Sequence, residues 1–407
     1  MRPRHTQHSF NAFPVYSCAF LSPNQLVLGG GGGASASGIK NKLRLYNICD
    51  DRSIELKDEF ELEKGEDVPM SMAVHTESGN IICGVNSTLE KLEKGENENC
   101  RAFTVSKDKI KLLATKRTLS GADLDDYQKV TVLSPDGSML AVAGARDLTL
   151  LAYPSLVPLA EPIHTDKEIY DATFCKNSLI LATTHNLFVY SLPDVSSTTS
   201  SSPPPSPKKT RKRAKVAAST STAKVQSLHL EKKVDLPSST GEGSTFRVAR
   251  FHPLYEDTLY TVVNVVSPRT KKSKTVTRQA YVCKWNTNTW TVEKSRKVGD
   301  RSLTCFDISI DGRFLGFGSS DLSIGMLDAK TLAPLSTILK AYELPPTTIK
   351  FDPNTTLLVA GSADNTIRIM SIPSTVGGSS WSVIIFIFLA LVFVLVAIAA
   401  KQYNLQF

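Results

Sequence analysis

A strand phrase recurs along this chain and limits the fold more than any single residue does. Each copy has an apolar strand, a turn with Pro, Asp, Asn or Gly, a second apolar strand ending in small residues, and a third strand. Copies cover residues 15–48, 130–153, 169–192, 246–290, 303–327 and 347–372, with another starting at Met70. Turns fall at Ser78-Gly79-Asn80, Ser134-Pro135-Asp136-Gly137, Asp311-Gly312 and Asp352-Pro353-Asn354. One such unit cannot bury both of its faces, so the copies must stack. Seven units of roughly 40 core residues, each a small antiparallel sheet, predict an all-β, seven-bladed WD-type β-propeller over residues 1–373. A β-sandwich is the rival, and the regular spacing favours the propeller. The WD cadence is clearest at 357–369, but the Trp-Asp dipeptide itself is absent, so the repeats are degenerate. Residues 4–11 are expected to add the strand that closes the ring.

Charge is unevenly spread. The formal net charge is +8, and residues 194–224 alone carry seven basic residues against one acid. The rest is close to balanced, which argues against a strongly basic nucleic-acid-binding surface. The 194–224 stretch is Ser/Thr/Pro-rich and then basic, so it is expected to be a disordered insertion joining two blades. Its Lys208–Lys215 core looks like a nuclear-localisation run, and Arg269–Arg278 forms a second basic tip. The seven cysteines are scattered, odd in number and never in a C-x-x-C pair, which points to reduced thiols rather than zinc. The N-terminus has no apolar signal-peptide core.

Residues 383–400 form an apolar or small run without a charge. At 1.5 Å per residue, a helix there would span about 27 Å, matching a thin bilayer. Trp381 and Tyr403 flank it as interfacial aromatics. The expected order is a linker at 374–382, a membrane anchor at 383–400 and a short lumenal tail at 401–407. The propeller would stay in the cytosol, leaving the sequons at Asn86 and Asn354 without sugar.

Five consecutive glycines, Gly29 to Gly33, precede Gly38-Ile39-Lys40-Asn41. The spacing from Gly33 to Lys40 looks like a Walker A loop. However, Ile39 separates the last glycine from the lysine, and Asn41 stands where a magnesium-binding hydroxyl belongs. The next residues alternate like a strand, so no helix N-terminus faces a phosphate. Covalent catalysis also lacks a constellation. The seven histidines fall in unrelated contexts, with no H-E-x-x-H and no G-x-S-x-G. His252 reads as a turn residue. Asp123, Asp125 and Asp126 read as a solvated acidic loop unless further oxygen ligands converge there.

These pieces together resemble a family of endoplasmic-reticulum guanine-nucleotide exchange factors. That family acts on the Sar-type small GTPase and starts COPII vesicle budding; its animal relative is prolactin regulatory element-binding protein. The resemblance rests on the glycine run followed by Gly38-Ile39-Lys40-Asn41, on Asp67-Val68-Pro69, and on Cys83-Gly84-Val85-Asn86-Ser87-Thr88. Departures are the fifth glycine, a longer low-complexity insert and the short expected tail. The resemblance implies exchange without covalent chemistry, a Sar-type partner, no nucleic acid and a single-pass anchor at the endoplasmic reticulum. It implies that a potassium ion organises the glycine loop, with Gly30, Gly31, Gly32, Gly33 and Gly38 as candidate ligands. Ile39 would be the apolar wedge, Asn41 a polar contact or loop brace, and Pro69 a stiffener of the neighbouring blade edge. A membrane-anchored scaffold without exchange activity, and a nuclear DNA-binding regulator, are the alternatives. An exposed, mobile loop of this kind would carry activity but little stability.

Overall fold

The computed structural model describes residues 4–34, 37–121, 123–193, 226–267, 276–372, 385 and 388–393. Its compact units are Met1–Ser371 and Ile372–Phe407. The first unit is a seven-bladed β-propeller whose strands pair in sequence order within each blade. Blade one holds Val15–Ser22, Gln25–Gly30, Lys42–Ile48 and Ile54–Glu61. Blade two holds Ser71–His75, Asn80–Gly84, Cys100–Ser106 and Lys109–Lys116. The third blade lacks a continuous outer strand. Two short pieces, Val157–Pro158 and Ile163–His164, both pair with Asp147–Ala152. Pro158 has no N–H to extend the ladder, which fits an outer edge.

The expected closing strand is present. His5–Ser9 pairs antiparallel with Thr366–Ser371, so the last blade is built from both ends of the unit. Arg52, from the first blade, donates to Thr6 Oγ1 and to Ser371 Oγ, both at 3.1 Å, and clasps that seam.

Blades pack face to face, because alternate side chains of each strand point to opposite sides of its sheet. The apolar clusters therefore lie between neighbouring blades. Val27, Leu43 and Leu45 of blade one meet Ile81, Cys83 and Phe103 of blade two. Val15, Leu26 and Leu28 meet Val359, Ile367 and Ile369 across the seam. The predicted turns are held by side-chain caps. Ser134 Oγ donates to Asp136 at 2.6 Å and accepts from Met139 N at 2.9 Å, and Ser309, Asp311 and Phe314 repeat this. These bonds hold the Asp136 and Asp311 carboxyls below their usual range, against the opposing effect of burial.

Strand direction sorts the loops onto two faces. Loops between second and third strands, and the linkers between blades, lie on an upper face. First-to-second-strand hairpins and third-to-fourth-strand connections lie on the lower face. The innermost strands line a central channel of about 900 Å³. Ion pairs between Arg250 and Asp171, and between Lys350 and Asp307 at 2.8 Å, neutralise much of its wall.

Two expectations need correction or limits. The basic insertion does not join blades. It departs between Asn186–Ser191 and Leu230–Asp235, which pair with each other inside blade four, so it leaves from the lower face. The whole of the 194–224 insertion lies outside the described residues, as do most of the 269–278 tip, the 374–382 linker and the 401–407 tail. Most of the expected anchor also lies outside them; Ile385 and residues 388–393 are helical, with Phe388 and Phe393 exposed. Among the described residues no helix is long and apolar enough to cross a membrane.

Candidate functional site: the glycine loop of the first blade

The glycine run does not behave as one flexible segment. Gly29 and Gly30 are strand residues, paired with Leu43 and Lys42, and both are buried. They are glycine because the backbone is crowded. A Cβ on Gly30 would run into the Pro14 carbonyl and come within 2.8 Å of the Phe13 ring. A Cβ on Gly29 would lie 2.8 Å from Pro69 Cβ. Gly30 therefore belongs to the blade's second strand. The loop proper spans residues 31–41. Gly33 and Gly38 take φ of +73° and +75°, the left-handed region that disfavours a side chain.

Asn41 braces this loop and is buried. Its Oδ1 accepts from Gly33 N at 2.9 Å, and its Nδ2 donates to Gly33 O at 3.0 Å and to Glu66 O at 2.7 Å. One amide thus bridges the two ends of the loop and ties them to the linker between blades one and two. Ile39 is half-buried rather than fully exposed, and its Cβ packs over Gly32. Its N–H donates to Ser37 Oγ at 3.3 Å. Pro69 is buried behind the loop's base, where its carbonyl accepts from Ser17 Oγ at 2.6 Å. The structure thus brings Ile39, Asn41 and Pro69 to one loop and its support, with Gly31, Gly32 and Gly33 between them.

The linker beneath the loop is polar and rigid. Glu66 and Arg101 form a buried bidentate pair, with N–O distances of 2.9 and 2.6 Å. Glu66 also accepts from Glu63 N at 3.0 Å. The next residue, Asp67, turns its carboxyl toward the loop, with Oδ1 3.4 Å from where a Gly33 Cβ would stand. It accepts from Val68 N at 2.7 Å and from the Ala34 amide. Burial nevertheless pushes its carboxyl above the usual range, outweighing those amides. A second-blade loop continues the network. Asp67 N donates to Asn86 O at 3.0 Å, and Asn97 Nδ2 donates to Asn86 Oδ1 at 3.1 Å.

Among the described residues no three His, Cys, Asp or Glu side chains converge as a metal site. Asp123 caps its own turn, accepting from Asp125 N at 2.9 Å, whereas Asp126 is half-buried rather than solvated and accepts from the distant Ala145 N at 2.7 Å. His252 is a turn residue as expected, accepting from Leu254 N and Tyr255 N at 3.1 and 3.2 Å. An alkali ion has a different fit: backbone carbonyls in a glycine turn, beside a desolvated carboxylate whose charge a cation would stabilise. Gly31 to Gly33 and Asp67 are the residues here that could offer such donors.

A model of the WD domain, G-beta repeat, matches residues 334–370. That span begins at the outer strand Pro334–Ile338 of blade six and ends in blade seven, so the repeat unit is offset from the blade. A putative guanine nucleotide-exchange factor, SED4 of Candida glabrata, is 24% identical over 90% of this chain and 32% of its own length. The guanine nucleotide-exchange factor SEC12 of the same yeast is 23% identical over 91% of this chain and 73% of its own. SEC12-like protein 2 of Arabidopsis thaliana is 24% identical over 83% of this chain and 73% of its own. Over most of its length this chain is similar to Sec12 and Sed4 exchange factors, and one segment of it matches the WD repeat. It spans about a third of the SED4 relative and about three quarters of the SEC12 relative. Raptor of Chaetomium thermophilum shares the fold, with TM-score 0.61 at 11% identity, over 92% of this chain and 29% of that one.

Sequence reasoning found the loop but missed its foundation. Asp67 stood out only as part of Asp67-Val68-Pro69, and Glu66, Arg101 and Asn97 not at all. A signal existed in Glu96-Asn97-Glu98-Asn99, a polar run leading straight into a strand. Such residues are seldom buried unless hydrogen-bonded.

Proposed function

We propose that this chain is a guanine-nucleotide exchange factor for a Sar-type small GTPase at the endoplasmic-reticulum membrane, acting at the start of COPII budding. The observation that carries this reading is the braced glycine loop on the upper face, in a chain whose relatives bear exchange-factor names. Exchange needs no covalent step. A factor that binds the nucleotide-free GTPase best weakens nucleotide binding by the same factor that nucleotide weakens its own. Contacts to phosphate and magnesium order the switch segments of such GTPases, so a loop pressed between them releases the nucleotide. Ile39 supplies the apolar contact, and Asn41 keeps the loop's ends together so that its ordering cost is met before the partner arrives. The carbonyls of Gly31, Gly32 and Gly33, with the Asp67 carboxylate, would hold potassium, which would stiffen the turn.

The test is release of labelled GDP from a purified Sar-type GTPase by the full chain in liposomes. Ile39→Ala is expected to slow release at least about tenfold, the loss of one apolar contact of ~1.4 kcal/mol or more. Lithium in place of potassium is expected to weaken the effect. Wild-type release by a folded Ile39→Ala chain would remove the loop from the mechanism, and no release by the wild type would leave the scaffold reading. The chain's topology is best tested at Asn354, which is exposed; Asn86 is buried, so lack of sugar there says nothing about compartment.

A further inference from the structure

The lower face carries an apolar patch that the exchange reading leaves unused. Leu254 and Tyr255, in the first hairpin turn of blade five, are 65% and 60% exposed, and Ile310, in the corresponding turn of blade six, is 58% exposed. The two turns are packed together. The His252 ring occupies the space where a Cβ on Gly312 would sit, and it lies 4.4 Å from the Tyr255 ring, centroid to centroid. The patch is therefore held on a rigid rim. Water-facing Leu, Tyr and Ile side chains gathered on one edge mark an interaction surface.

Three features bear on what could cover it. Ser371, where the compact unit ends, is on this same face, as its bond from Arg52 and its pairing with His5–Ser9 show. Only residues 372–382 separate it from the apolar run at 383–400, a contour of at most about 40 Å. The basic insertion leaves from the neighbouring blade on this face, beside the Lys176–Glu256 pair at 4.0 Å that links blades four and five.

We propose that the Leu254–Tyr255–Ile310 rim rests in the interfacial layer of the bilayer that holds the chain. The inference rests on the reading of 383–400 as an anchor. Tyrosine and aliphatic side chains are at home at the headgroup boundary. Three side chains bind lipid more weakly than one acyl chain does, and an acyl chain alone is marginal. A short tether raises the local lipid concentration enough to populate such a weak contact. The nearby acids do not require anionic lipid, since Asp311 is paired with Arg313 at 2.6 Å and Glu256 with Lys176. Zwitterionic lipid therefore suffices. The consequence is orientation: with the lower rim on the membrane, the glycine loop faces away from it, toward an approaching GTPase.

The experiment uses the full chain in phosphatidylcholine liposomes, with Cys49→Ser and Cys175→Ser as background. An environment-sensitive thiol dye is placed at Leu254→Cys, or at Lys64→Cys on the upper face as control. Quenching by doxyl-labelled lipid is expected to be roughly twofold or more greater at position 254 than at 64. Adding Ile310→Asp to the 254-labelled chain is expected to abolish the difference, with a thermal melt confirming the fold. Equal quenching at both positions in a chain that resists alkaline carbonate extraction overturns the docked rim and leaves the anchor standing. Release by carbonate overturns both.

Discussion

At the level of single residues, glycines that look alike in sequence do different work. Gly30 is fixed by what surrounds it, and Gly38, with no atom within 4 Å of where its Cβ would be, only by its own φ. Gly30→Ala is expected to cost about 1–3 kcal/mol, because Pro14 and Phe13 belong to the blade seam and must shift. Gly38→Ala should change global stability by no more than about 1 kcal/mol, because the loop can open locally, while slowing nucleotide release. Paired melts and GDP-release assays separate the two. Low stability cost is therefore expected for Gly38 in the loop, but not for the strand glycines or for Asn41. Asn41→Ala leaves the Gly33 amide and two carbonyls without their partner, so a loss of about 1–3 kcal/mol is expected along with slower release.

Asp67 adds a pH signature. Its carboxyl is raised in the folded chain, so the folded state holds its proton at pH values where the unfolded state has lost it. Stability then falls as pH rises from the ordinary carboxylate range through the raised value. Asp67→Asn removes that penalty. The variant is expected to melt higher than wild type at pH 7, with the gap closing toward pH 4 and narrowing in high potassium if the ion pairs with the carboxylate. A gap independent of pH would show that Asp67 does not titrate in this window.

Among the elements, the connection between blades matters more than the strands it joins. The linker at 62–70 holds the loop through the Glu66 carbonyl and is itself pinned by the Glu66–Arg101 pair. Opening a buried pair by removing one partner is strongly destabilising, so the loop's shape is set from beneath. The basic insertion is the opposite kind of element. Its ends are already joined, with Ser191 N donating to His229 O at 3.0 Å. Replacing residues 194–225 with a short Gly/Ser linker is expected to leave the melting temperature nearly unchanged, since the Leu230–Asp235 strand keeps its partner. A large drop would mean that the insertion packs on the propeller.

For the whole molecule, closure is the decisive interaction. The His5–Ser9 strand covers the edge of Thr366–Ser371 and joins the first and last blades. Deleting residues 1–9 exposes that edge and removes the Arg52–Thr6 contact of the clasp. An open, unpaired edge strand invites association. The truncated chain is expected to melt well below the full one and to aggregate on heating, as read by scattering during the melt.

The repeat phrase determined by itself the all-β class, the number of blades and the N-terminal closing strand, because a period-2 apolar pattern with regular turns is local information. The glycine run from Gly29, with Gly38-Ile39-Lys40-Asn41 after it, marked a loop in this stretch, and the family resemblance singled out Ile39 and Asn41. What only the tertiary structure decided was which glycines belong to the blade, where the insertion leaves the ring, and what lies beneath the loop. Pro14, Phe13, Glu66, Asp67 and Arg101 reach the site from other strands and linkers. Their contacts form between segments far apart in sequence, and a buried polar partner such as Arg101 is marked in the chain only by its charge. Burial and hydrogen bonding are properties of the closed ring, so they could be read only once the blades had been placed side by side.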